Sequence, residues 1–230
     1  MSTPDYDRER RLAAEAGVAL VEPGMVVGLG TGSAASHAVR LLGARVRAGL
    51  AIRGVPTSTT TRALAGAEGI PLVGIDEVEA IDLTLDGTDE FDPRLNLIKG
   101  GGGALLFEKL VATASKQLVI LCESRKEVHE LGAFPLPIEV VPVGWRSTAR
   151  RLEALEGRPE LRRTQTGSPF VTDGGHYILD VPFGPIRDPG RLADRIDGIV
   201  GVVEHGLFVD LAERVLMGRG DRLETFVAHR

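Results

Sequence analysis

Met25-Val26-Val27-Gly28-Leu29-Gly30-Thr31-Gly32-Ser33 is an apolar run delivered through three alternating glycines into a polar residue that opens a helix. Met25 to Leu29 reads as a short strand. The glycines permit a tight turn, and Ser33 to Leu42 reads as a helix that Gly43 is expected to end. The unit then recurs. Ala51 to Val55 is a strand, Ser58 to Ala67 a helix stopped by Gly69, and Ile81 to Leu85 a strand ending in Asp86. Ala104 to Ala114 is a helix, and Gln117 to Cys122 a buried strand. Strands alternating with helices at this spacing predict a mostly parallel, Rossmann-like α/β sheet covered by helices. Ligands of such sheets sit at the C-terminal ends of the strands.

After Gly132 the rhythm changes. Ile138 to Val143 is a strand, Trp145 to Leu155 a helix, and Leu161 to Thr164 and Tyr177 to Val181 are strands. Leu192 to Ile196 is a short helix and Ile199 to Val203 a strand. The order β-α-β-β-α-β is the split unit of a smaller α+β, ferredoxin-like domain. The expected division is a Rossmann-like domain of residues 1–131 and 207–230 and a ferredoxin-like domain of residues 132–206. The segment Leu207 to Met217 is expected to return to the main sheet, and Asp221 to Arg230 receives no role.

The chain has 230 residues, 43% hydrophobic and 26% charged, enough to bury a full core. A net charge of −5 argues against a nucleic-acid surface but leaves room for one positive pocket. The single cysteine, Cys122, lies in an apolar run, so neither an internal disulfide nor a cysteine metal cluster is available. The polar N-terminus carries no apolar signal segment and no stretch reaches membrane-spanning length, which makes the cytoplasm the expected location. The five histidines, His37, His129, His176, His205 and His229, show no metal-ligand spacing.

Four stretches have the residue types for chemistry. The turn Gly28 to Ser33 is either an anion cradle, with outward N–H groups and the Thr31 and Ser33 hydroxyls, or a plain strand–helix turn. It is a poor dinucleotide fingerprint, because Arg53 and Gly54 stand where an acid for a ribose belongs. The hydroxyl run Thr57 to Thr61 either caps a helix or faces a substrate. Asp86-Gly87-Thr88-Asp89-Glu90 gathers three carboxylates where a strand runs out; they repel unless a cation or a polar ligand offsets them. Lys99-Gly100-Gly101-Gly102-Gly103 is costly to order and offers unshielded backbone N–H groups beside a lysine, in a chain whose four lysines all lie between positions 99 and 126. Glu108 follows in the next helix, off the centre of the stripe formed by Leu106, Phe107, Leu110, Val111 and Ala114. The helix N-terminus favours its carboxylate, whereas enclosure in a dry pocket favours the acid. Together these parts suit proton transfer beside the carbonyl of a phosphorylated sugar, with a glutamate as base and amides or Lys99 facing the developing negative oxygen.

The sequence resembles the type A ribose-5-phosphate isomerase family. The matching segments are Val27 to Ser33, Asp86 to Glu90, Ile98 to Ala104 and Phe134-Pro135-Leu136-Pro137-Ile138-Glu139-Val140, with Val171 to Gly175 and Ile178 to Val181 in support. The resemblance spans roughly residues 10 to 218. It implies interconversion of ribose 5-phosphate and ribulose 5-phosphate without a cofactor or metal, in the pentose phosphate pathway. It also implies a homodimer or a homotetramer, with no nucleic acid or membrane as partner. Carried over by position, Glu108 shuttles the proton between C1 and C2, Asp86 assists furanose opening, and Asp89 and Lys99 hold the sugar oxygens. Gly30, Thr31, Gly32, Ser33, Ala34, Gly87, Thr88, Gly100, Gly101, Gly102, Gly103 and Lys126 surround the substrate. Ala34 departs from the threonine common in the family at that place, and Gly174 departs from an asparagine. Two rivals remain on similar scaffolds: an acyl-CoA transferase with a glutamate nucleophile, which leaves the two aspartates unexplained, and a non-catalytic sugar-phosphate sensor.

Overall fold

The computed structural model describes residues 4–228. His229 lies outside them. Helix α1 (Tyr6–Val18) precedes β1 (Val26–Leu29), α2 (Ser33–Arg47), β2 (Arg53–Pro56), α3 (Thr59–Ala67) and β3 (Leu83–Asp86). Two short strands, β4 (Glu90–Phe91) and β5 (Leu97–Ile98), lead to α4 (Leu105–Thr113) and β6 (Leu118–Glu123). Then come β7 (Leu136–Val140), α5 (Trp145–Glu153), β8 (Glu160–Leu161), β9 (Tyr177–Val181), α6 (Pro189–Asp197) and β10 (Val202–His205). The chain closes with β11 (Leu207–Phe208), β12 (Arg214–Arg219) and β13 (Arg222–Val227).

The main sheet has the order β13-β12-β6-β3-β1-β2 and is parallel except for the β12–β13 hairpin. Its inner strands β1, β3 and β6 are buried on both faces, which explains their continuous apolar runs. Strand order reverses beside β1. The chain leaves β1 for β2 on one side and returns through β3 on the other, and the crevice at the two C-terminal ends is where such sheets hold ligands. The glycine turn leaves β1 there, and the acidic loop leaves β3.

The second sheet has the order β10-β7-β9-β8, with every neighbour antiparallel. With α5 and α6 it forms the expected split β-α-β-β-α-β arrangement around Leu136, Ile138, Leu152, Leu179, Val181 and Ile196. A third small sheet, β11-β5-β4, was not expected from the sequence. Its two-residue strands carry no readable period, yet they place Lys99 immediately after β5.

The structure corrects one sequence expectation and fills two stretches to which none was assigned. Gly43 does not end α2, which continues to Arg47. It is kept small because a Cβ there would meet Glu68 Cβ at 2.5 Å, where α3 ends against α2. The polar N-terminal stretch forms α1, capped by Asp5 and buried through Ala13, Ala14 and Val18. The tail forms β13, the outer strand of the main sheet. Cys122 is buried on β6, as expected. No helix among the described residues is long and apolar enough to cross a membrane.

Candidate active site

A cavity opens at the switch point. Its walls include Thr31 to Ala34 from the glycine turn, Gly87 to Asp89 from the acidic loop, and Lys99 to Gly102 with Glu108. Lys126 also lines it, as expected from sequence. Gly30, Asp86 and Gly103, also expected from sequence, are not among its lining residues.

Lys99 organises the centre. Its ammonium lies 3.0 Å from Asp86 Oδ2 and 3.3 Å from Glu108 Oε1, and donates to the Gly87 carbonyl at 2.5 Å. Its backbone N–H is fixed to Gly206 O. Lys99 is 2% exposed, Asp86 0% and Glu108 5%. Burial works against the Lys99 charge, but Asp86 and Glu108 outweigh it and raise its pKa. One ammonium cannot neutralise two buried carboxylates. Burial also lifts Asp86, against the pull of Lys99 and of the Gly87 and Thr31 N–H donors. Glu108 lacks such amide donors. Burial pushes it up to about 8, with Lys99 opposing and Asp86 adding to the rise. Its Oε2 is buried without a hydrogen-bond partner among the described residues. Of the two opposed influences named from sequence, enclosure outweighs the helix N-terminus, and burial raises both carboxyls of the triad.

Gly30 makes the Asp86 position possible. A Cβ at Gly30 would come within 2.1 Å of Asp86 Oδ1 and 2.6 Å of Asp86 Cα, so only glycine lets β1 and β3 deliver their loops this close together. Gly32 is the N-cap of α2, and no side chain among the described residues caps that helix. The first-turn N–H groups beside Ser33 and Ala34 therefore face the cavity, an arrangement that suits a phosphate. Ala34 is buried in this wall and provides no hydroxyl.

The hydroxyl run Thr57 to Thr61 turns out to brace the turn rather than line this cavity. Thr31 Oγ1 sits 2.8 Å from both Thr57 Oγ1 and Ser58 Oγ and 3.2 Å from Thr61 Oγ1. Thr57 and Thr61 donate to the Leu29 and Gly30 carbonyls, and Ser58 caps α3. The Thr88 hydroxyl is likewise taken up by backbone, the carbonyls of Glu90 and Ile98. Glu90, the third acid of its loop, accepts from Gly132 and Phe134 N–H groups and pins a loop instead of facing the cavity.

In the glycine run, Gly101 N–H donates to Asp89 Oδ2 at 2.7 Å, and Gly103 N–H closes a turn on Gly100 O. The Gly102 N–H has no protein partner among the described residues and lies in the cavity wall. Lys126 Nζ is 3.6 Å from Asp89 Oδ1. Sequence reasoning missed Leu121, Glu123 and Arg125, which also line the cavity. Arg125 binds Glu123 Oε1 at 2.7 Å and lies 4.9 Å above the Tyr6 ring. Its one local signal was adjacency to Lys126.

Sequence spacing also concealed a cluster of Asp197, Glu204 and His205, each with a ligand atom within 4.8 Å of the others. The Lys109 ammonium, 2.6 Å from Glu204 Oε1, already supplies a cation there. Burial, reinforced by Lys109, lowers the His205 pKa to about 3 and keeps the ring neutral.

Residues 53–222 match the family model described as ribose 5-phosphate isomerase A (phosphoriboisomerase A). A ribose-5-phosphate isomerase A of Rhodopseudomonas palustris (strain HaA2) is 51% identical over 95% of this chain and 97% of its own. A solved D-ribose-5-phosphate isomerase in complex with phospho-erythronic acid superposes with a TM-score of 0.94 at 36% identity, covering 97% of this chain and 99% of that one. The ribose 5-phosphate isomerase A of Methanocaldococcus jannaschii gives a TM-score of 0.91 at 40% identity, over 95% of this chain and 97% of its own.

Proposed function

The chain belongs to the ribose 5-phosphate isomerase A family, and we propose how its cavity carries the interconversion of ribose 5-phosphate and ribulose 5-phosphate. The phosphate lies at the α2 N-terminus, against the N–H groups of Gly32 to Ala34 and the Ser33 hydroxyl, with Lys126 and Arg125 at the rim. The sugar extends toward Lys99. Asp89 and Lys99 hold its oxygens. Asp86, fully buried behind Lys99, receives the anomeric hydroxyl proton through that ammonium as the C1–O4 bond breaks, and returns it by the same route to the ring oxygen, which leaves as the O4 hydroxyl.

In the open aldose, Glu108 as carboxylate takes the proton from C2 and returns it to C1, while the hydroxyl proton passes from O2 to O1. The intermediate enediolate is stabilised by Lys99 and by the Gly102 N–H. The buried Glu108 carboxyl, raised to about 8 and with one oxygen unpartnered, carries this reading. A base with such a pKa is strong enough to attack a weakly acidic C–H and is still ionised in a useful fraction near neutrality. No step is routed through a metal.

Residues 132–206 are read as the smaller domain, and residues 1–131 with 207–230 as the larger. Association as a homodimer or homotetramer belongs to the same proposal. The exposed Val141, Val143 and Val200, at one end of the four-stranded sheet, are apolar surface that such contacts would cover. A cytoplasmic place in the pentose phosphate pathway is proposed with it. Replacing Glu108 by Gln tests the assignment: kcat should fall about 100-fold or more with the fold intact, the scale of losing a positioned base. A kcat within a few-fold of the parent removes Glu108 from this role.

A further inference from the structure

Arg162 is remote in sequence from every motif above, yet it reaches the glycine run. It follows β8, and its NH1 donates to the Gly100 carbonyl at 2.8 Å and to the Gly101 carbonyl at 3.1 Å. Asp180 on β9 fixes the guanidinium from the other side, accepting from Nε at 2.8 Å and from NH2. The Phe170 ring lies 5.9 Å from the guanidinium. The same ring closes over Gly103, where a Cβ would stand 2.5 Å from it. The fork therefore satisfies a carboxylate and two carbonyls at once, a geometry that a lysine cannot reproduce.

Peptide planarity gives this contact a consequence. In a trans unit, the C=O of one residue and the N–H of the next point to opposite sides. Drawing the Gly100 carbonyl outward turns the Gly101 N–H inward, where it meets Asp89 Oδ2. Drawing the Gly101 carbonyl outward turns the Gly102 N–H inward, where it has no protein partner among the described residues. Glycine peptides flip readily, because no side chain restrains either orientation. We propose that Arg162, held by Asp180, is a positioning residue that fixes the orientation of the Gly100–Gly101 and Gly101–Gly102 peptides, aiming the Gly102 N–H at the enediolate oxygen. The four-stranded unit thus acts on catalysis through the outer face of the glycine run. The inference rests on the reading of the Gly102 amide as an enediolate donor.

The test compares Arg162→Ala and Arg162→Lys with the parent and with Glu108→Gln. An amide that is present but no longer aimed should lower kcat by about 10- to 100-fold, short of the full loss of an oxyanion donor. KM should stay within about threefold, because the interaction strengthens only as charge develops. Millimolar guanidinium chloride should restore part of the kcat of Arg162→Ala, whereas sodium chloride should not. Arg162→Lys, which keeps the charge beside Asp180, should show an intermediate kcat, and it decides the matter if the alanine variant fails to fold. A kcat within about threefold of the parent in a folded variant, or a loss carried by KM alone, overturns the role of Arg162. If that occurs while Glu108→Gln is inactive, the proton-transfer reading stands without it. If Glu108→Gln is also active, the proposed mechanism falls with it.

Discussion

Glu108→Gln should stabilise the protein as well as inactivate it, and the gain should grow with pH. The Glu108 carboxyl is lifted from 4.5 to about 8 by burial. Below pH 4.5 the folded and unfolded states both hold this proton. Between 4.5 and 8 the unfolded chain releases it and the folded protein does not, so stability falls as pH rises. Above about 8 the loss is complete. At about 1.4 kcal/mol per pH unit the ceiling is about 4–5 kcal/mol. Asp86 and Lys99 redistribute charge within the triad, and the neutral amide of the variant gives up the attraction to Lys99. Those losses leave a net gain of about 1–3 kcal/mol at pH 9. For a chain of this size, that raises Tm by about 2–10 °C. Melting curves of both proteins, followed by circular dichroism from pH 5 to 9, measure the difference directly. A gap that is absent or negative at pH 9, or constant over the range, would refute a buried, proton-holding Glu108.

Two further outcomes follow from the same geometry. The kcat/KM of the parent should climb about tenfold per pH unit below pH 8 and level off above it, as expected for a base whose triad titrates with an apparent pKa near 8; initial rates across pH 5.5–9 check this, and a profile already flat at pH 6 contradicts it. Gly30→Ala should cost about 1–3 kcal/mol by overpacking and lower kcat at least about tenfold, because its Cβ, 2.1 Å from Asp86 Oδ1, must displace the partner of Lys99; thermal melts and steady-state rates report the two effects separately.

The parts of the site that were legible in the sequence are those that one local segment determines. The turn from β1 into α2 is written in alternating glycines, the acidic loop in its position at the end of β3, and the glycine run in its composition. Each names its own residues, and sheet topology brings them to one crevice. What was not legible depends on contacts between distant segments. Small alanines bury α1, and their pattern is weak beside its many charges. The Thr57 and Thr61 hydroxyls could equally cap a helix or face a substrate, and only their acceptors, the Leu29 and Gly30 carbonyls, decide between the two. The competition over the Glu108 pKa needed the actual enclosure to decide it. Arg162 carried no signal at all, since the Gly100 carbonyl it holds lies 62 positions away.

The central claim is that Glu108 lifts the C2 hydrogen as a proton and delivers it to C1. Ribose 5-phosphate carrying deuterium at C2, turned over in ordinary water and read by NMR as ribulose 5-phosphate, tests it most directly. Some of the label should be lost to solvent from the Glu108 carboxyl, and in deuterated water unlabelled substrate should gain deuterium at C1. Retention of the whole label at C1 by both the parent and a still active Glu108→Gln variant, with no solvent hydrogen entering in either experiment, would contradict the claim and point to transfer as hydride.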